Sequence, residues 1–315
     1  YGTKRQAERA RELQTEAGRL QEPGRVRRDV QPLDDDKRAD HLNLERPVEG
    51  HPAKASVDGV EVTFAPHIPA RKAAFDYARE SGIPFRQQAE YKKIDKVFSR
   101  RLEAAYMGMA DNPLDPVVKA AYAAWAKETL AQYKAMMKTG ITIEFMPNNK
   151  DPYGNPRNAI LDVVRNNHLY VFPVEGGFGD SAISAEAIRN NPALALTDIE
   201  ISGRRARVVE LFRATHDFFG HIKDGFGFRA EGEENAFQSH VRMYSPLAAR
   251  AMTAGTRGQN SVVNFGPYAE FNKTASGEDT KFAPQKVGLM PEWATNDNIT
   301  PDVRASVRSG VTLGK

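Results

Sequence analysis

The chain has 315 residues, 40% of them hydrophobic and 27% charged, which is enough for one large domain or two small ones with a substantial core. Its 44 basic and 41 acidic residues leave a formal charge of +3, so no strong overall field points to nucleic acid or an anionic membrane. Cysteine is absent, which excludes disulfides, thiolate metal sites and a cysteine nucleophile together. Any metal must therefore be held by nitrogen and oxygen ligands. No apolar run approaches the roughly 20 residues that a membrane helix needs, and the first residues carry no apolar signal core. The start at Tyr1 is read as an excerpt or a processed piece of a longer polypeptide.

Residues 1–21 are charged helix formers with only Leu13 and Leu20 as large apolar side chains, which reads as a solvated arm or a docking helix. Pro23, Pro32, Pro47, Pro52 and the triplet Asp34-Asp35-Asp36 mark an irregular linker up to about Ser56. The folded part is expected to start after it. Val57 to Phe64 places β-branched residues around Asp58-Gly59, a small hairpin signal. A short helix is predicted over 70–80, ended near Gly82, and a longer one over 91–109. Asp115 before Pro116 caps a further helix running to Lys138, and the last two are expected to form an antiparallel scaffold.

After Gly140 the pattern changes to strand, helix, strand: 141–145, 159–165 and 168–172, which predicts two parallel neighbours joined by a crossover helix. His168 opens the second strand and is read as structural. The glycine-rich run 175–181 follows, where backbone amides can approach an anion, although it lacks the lysine and spacing of a phosphate loop. A second hairpin is predicted over 199–208 through Ser202-Gly203.

The chemistry concentrates in the next two helices, expected over 207–219 and 231–252. On the first, Val208, Leu211, Phe212, Thr215 and Phe219 share one face, His216 lies on its rim, and Arg213 and Asp217 sit opposite and can pair. Gly220 is expected to end this helix and let His221 turn back toward His216. On the second, Glu233 and His240 project from the middle of the apolar face, whereas Glu234 falls at its edge. A carboxylate in that position must be paired, protonated or metal-bound, since an unsatisfied buried charge costs several kcal/mol. Two histidines and a carboxylate are the ligands of open non-haem iron sites, and zinc accepts the same donors. The favoured metal set is His216, His221 and Glu233, with His240 as fourth ligand, proton shuttle or orienter. Arg213, Asp217 and Arg257 are the candidates for holding the shell or an anionic substrate. A buried hydrogen-bond network without metal or turnover is the alternative reading of the same residues. Beyond Gly255, loops around Arg257, Asn264 and Gln285 are expected to fold over the His216 helix as a lid, and residues 294–315 to form a tail.

His216-Asp217-Phe218-Phe219-Gly220-His221 resembles the His-Glu-Leu-Leu-Gly-His motif of the aromatic amino-acid hydroxylases, in which both histidines bind iron. The iron-binding glutamate of that family lies well downstream, near Ser261 here, where the available acids are Glu233, Glu234 and the more distant Glu270. Zinc peptidases match less well, because Asp217 replaces their glutamate and the histidines are five apart. A wider resemblance runs from about Asp115 to Trp293 and is to an uncharacterised domain of tailed-bacteriophage proteins, often embedded in very large multi-domain chains. It is carried by Leu211-Phe212-Arg213-Ala214-Thr215-His216-Asp217, Gly232-Glu233-Glu234-Asn235-Ala236, Thr256-Arg257-Gly258-Gln259-Asn260-Ser261 and Gly288-Leu289-Met290-Pro291-Glu292-Trp293. It implies a phage context, in the virion or the host cytoplasm, with other phage proteins as partners.

Together these readings give an α+β fold, mostly helical with a small mixed sheet and irregular C-terminal loops. Residues 1–55 form a charged arm and linker, 56–293 a single globular domain (helical over 66–139, mixed α/β over 140–293), and 294–315 a tail. The expected function is a mononuclear non-haem metal-dependent enzyme of a bacteriophage, with iron before zinc. The alternative is a non-catalytic virion or ejected internal protein, and nucleic-acid binding has only scattered arginines behind it.

Overall fold

The computed structural model describes residues 44–174, 185–275 and 279–296, so the predicted N-terminal helix, the glycine-rich run 175–181 and the end of the tail lie outside the described residues. Within them, two residues of positive φ close each predicted hairpin: Asp58 and Gly59 join β1 (Lys54–Val57) to β2 (Val60–Thr63). The chain already packs before β1. Val48 is buried, and the carbonyls of Leu44 and Arg46 accept from Arg71, which draws residues assigned to the linker into the fold.

Helix α1 (Ile68–Ser81) ends on Gly82 in the left-handed conformation, as its sequence predicts. Helix α2 (Lys96–Gly108) starts later than its apolar spacing suggests, because the Asp95 carboxylate accepts from the backbone of Val97 and Phe98 and caps the helix there. Helix α3 (Pro116–Met137) has the predicted Asp115 cap and proline start. The expected α2–α3 scaffold is replaced by a different pairing, in which α3 is the central helix and packs against α1 and two helices from later in the chain.

β3 (Thr142–Phe145) and β4 (His168–Val171) are parallel and joined through α4 (Asn158–Asn166), the predicted crossover. His168 lies between two carboxylates, with Nδ1 2.7 Å from Asp162 and Nε2 3.0 Å from Glu144. After the short α5 (Ala185–Asn190), β5 (Leu196–Ile201) and β6 (Arg204–Arg207) form the second hairpin, turned by Ser202 and Gly203 at positive φ. The fold is thus α+β, mostly helical, with three sheets of two strands each among the described residues.

Three helical stretches then build the site. α6 (Val208–His216) runs without a break into a π turn (Asp217–Ile222), and α7 (Ala230–Val241) packs on that turn. The single long helix expected over 231–252 is two helices, since Ser245 caps a new one, α8 (Pro246–Thr253), with proline in its first turn. α8 and α6 are the partners of α3. A second π turn (Ala254–Gly258) leads from α8 into α9 (Gln259–Phe265), so residues 254–265, expected as a loop, are helical, and α2 packs against them. α10 (Ala269–Asn272) and α11 (Glu292–Asn296) complete the described chain, and Ala294 and Thr295 are buried rather than part of a free tail. No described helix is long and apolar enough to cross a membrane.

Candidate metal centre

His216 and His221 are five residues apart, which on an α-helix would set them about 140° apart around the axis. The π turn removes that difference, because its hydrogen bonds run from one residue to the fifth beyond it, as from Lys223 N–H to the Phe218 carbonyl at 2.9 Å. The two imidazole centroids lie 5.2 Å apart at nearly right angles. Gly220, expected to end the helix, sits inside the turn instead, and the helical path persists to Lys223. A Cβ at Gly220 would stand 3.1 Å from the Ala236 carbonyl and 3.2 Å from Nδ1 of His216, so glycine here lets α7 approach closely.

That approach delivers Glu233. One donor atom from each of His216, His221 and Glu233 lies within 4.8 Å of the others, the separation expected of three ligands around one ion. Nε2 of His221 is 3.5 Å from Oε2 of Glu233, and Nδ1 of His221 is 3.3 Å from the Phe226 carbonyl. The carbonyl is an acceptor, so Nδ1 carries the proton and Nε2 is left to face Glu233. Phe228 stacks on the His221 ring with centroids 4.1 Å apart. Asn260 on α9 donates to Oε2 of Glu233 at 2.8 Å and orients that carboxylate. A narrow cleft reaches Glu233 between Ser99, Leu102, Asn260, Asn264 and Phe265.

The electrostatics follow from burial and close approach. Burial, reinforced by the neighbouring His221, pushes His216 down to about 3, so this imidazole is neutral at ordinary pH. Burial opposes charge on His221 too, but the Glu233 carboxylate beside it outweighs this and raises its pKa. Glu233 is correspondingly lowered against the cost of its burial, by His221, His216 and the Asn260 amide. Burial and the Glu233 charge raise Asp217 to about 7, with His221 and Arg213 pulling the other way.

His240 lies behind His216 rather than among the three converging donors. Its Nδ1 is 3.1 Å from Nδ1 of His216, and its Nε2 is 2.7 Å from Oε1 of Gln132 on α3. Asp217 and Arg213 are adjacent to the site, and Arg213 also donates to the Phe172 carbonyl at 2.8 Å. Arg257 grips Glu234 through two nitrogens at 2.7 and 3.0 Å and donates to the Ala294 carbonyl, which clamps α7 to the C-terminal segment. Glu234 is therefore tied to Arg257 while Glu233 faces the histidines, although the helical phase that set one at the centre and the other at the edge does not show in burial, since both side chains are half-buried. Sequence reasoning did not single out Gln132. Its signal was present, because Trp125, Thr129, Gln132 and Met136 share the buried face of α3 and two of these are polar.

Compared with protein families, curated proteins and solved structures, the chain finds no match.

Proposed function

We propose that this chain is a mononuclear non-haem metal-dependent enzyme, iron in preference to zinc, acting in a bacteriophage context. The observation that carries the reading is the convergence of His216, His221 and Glu233 within 4.8 Å in a buried pocket where Nε2 of His216 has no hydrogen-bond partner. Two imidazoles and one carboxylate leave half of an octahedral sphere open, the donor set of non-haem iron(II) oxygenases, and zinc fits the same atoms less distinctively. A bound ion of this kind supplies Lewis-acid polarisation of an oxygen donor. The chain's own residues do the rest of the positioning: the Phe226 carbonyl fixes the His221 ring and Asn260 aims Glu233. The phage context is supported by the four sequence runs that resemble the tailed-phage domain, and it brings other phage proteins as partners and the virion or host cytoplasm as location.

The competing reading is a virion protein whose histidines form a buried network. A network that served only the fold would be expected to satisfy its members, whereas Nε2 of His216 is buried with no partner, and a nitrogen of that ring lies within 4.8 Å of donors from His221 and Glu233. The test is elemental analysis of protein purified without added metal, beside a His216→Ala/His221→Ala variant. Close to one iron or zinc per parent chain and none in the variant supports the site. Equal content in the two, or none in the parent even after exposure to either ion, removes it.

A further inference from the structure

We infer that Gln132 and His240 are positioning residues that hold His216 in its less common neutral tautomer, with the proton on Nδ1 and the Nε2 lone pair bare. The chain of inference begins at a backbone carbonyl. Nε2 of Gln132 donates to the Met243 carbonyl at 3.0 Å, which fixes the amide so that Oε1 points the other way. That oxygen lies 2.7 Å from Nε2 of His240 and can only accept, so His240 carries its proton on Nε2. Neutral His240 then has a bare Nδ1, which lies 3.1 Å from Nδ1 of His216. Two nitrogens at that distance need one proton between them, and His216 supplies it. What remains on His216 is an unprotonated, buried Nε2 without a partner.

Each link is held rigidly. Gln132 and His240 have no solvent exposure, and the relay spans α3, α7 and α6, so its geometry is fixed by helix packing rather than by a loop. Phe212 stacks on both imidazoles, at 5.6 and 5.8 Å between centroids, which confines the two rings side by side. In water a neutral imidazole favours the proton on Nε2, the atom that here must be free. The relay reverses that preference at His216, whereas His221, the other candidate ligand histidine, is oriented by the Phe226 carbonyl. Its meaning for metal binding rests on the reading under Proposed function; the tautomer assignment does not.

Long-range proton–nitrogen correlation spectra of the metal-free full chain, labelled with ¹⁵N-histidine, read the tautomers directly. The expected result is an Nδ1–H signature for His216 and Nε2–H for His240. An Nε2–H signature for His216 overturns the inference. The second arm measures zinc affinity in Gln132→Leu and in Thr129→Val, a control that breaks a buried hydrogen bond to Tyr244 on the same helix at 2.8 Å. A loss of about 10- to 100-fold confined to Gln132→Leu supports the positioning role. An equal loss in both variants, or none, overturns it. If the tautomers are as stated and the parent binds neither zinc nor iron, the metal reading fails while the relay stands.

Discussion

Two buried polar clusters lie side by side in this protein and are built to opposite plans. One centres on Asp224, whose Oδ1 accepts from Nε and an amino nitrogen of Arg71 and from Gln87, and whose Oδ2 accepts from Lys223 and Ser239, all at 2.6–2.9 Å. The other is the His216, His221 and Glu233 group, only a few residues away along the same chain and packed on the same helix α7. Around Asp224 each carboxylate oxygen is matched by donors and by opposite charge. Around His216 one potential ligand atom from each of three residues lies within 4.8 Å of the others, and Nε2 of His216 is buried with no hydrogen-bond partner. Other buried atoms without partners occur in the molecule, Trp125 Nε1 and two Arg242 nitrogens among them, but among the described residues only the His216 ring belongs to a group of three potential ligands within 4.8 Å. The closed cluster fixes architecture; the open one is where the proposed metal would be held.

The sharpest way to break that contrast is to open the closed cluster. Asp224→Asn leaves the Arg71 and Lys223 charges buried without compensation, and the expected loss of stability is about 3–5 kcal/mol, read by chemical denaturation. A loss below about 1 kcal/mol would show that the cluster is not the structural unit described. Acid probes the same residue more gently. Although burial works against its charge, Lys223 and Arg71 hold Asp224 down at about 2, below its unfolded value. Its contribution is therefore complete above about pH 4 and is lost as the pH falls toward 2, by about 2 kcal/mol. Denaturation midpoints between pH 5 and 2 check this, and the Asp224→Asn protein should lack that part of the decline.

The smallest effect belongs to the open cluster. Asn260→Ala removes one amide from a carboxylate that still reaches solvent, and about 1 kcal/mol of stability is expected to go with it. A loss of several kcal/mol would place Glu233 with Asp224, as a structural anion rather than a waiting ligand.

Local features were the most readable in the sequence. Asp58-Gly59, Ser202-Gly203 and Asp115-Pro116 each specify a backbone conformation within two residues, and all three occur as expected. The crossover helix between β3 and β4 was equally plain from periodicity, as was the choice of Glu233 over Glu234 as the acid nearer the histidines. What escaped depends on packing between elements. Gly220 looks like a terminator in sequence, yet it is required by the approach of α7 and lies inside a π turn, which residue spacing cannot distinguish from a helix end. Ser245-Pro246 did carry a break signal, but the apolar spacing across it concealed the boundary. The pairing of α3 with α6 and α8 is a matter of topology, and Gln132 gained its role only through that pairing.

The most direct test of the open site compares two neighbouring carboxylates. Metal-free parent protein, Glu233→Gln and Glu234→Gln are titrated anaerobically with Fe²⁺, and separately with Zn²⁺, by calorimetry. The account predicts one ion per chain in the parent, strongly weakened binding in Glu233→Gln, and retained binding in Glu234→Gln, whose side chain is tied to Arg257 away from the histidines. Binding that is equal in all three, or lost only with Glu234, would contradict it.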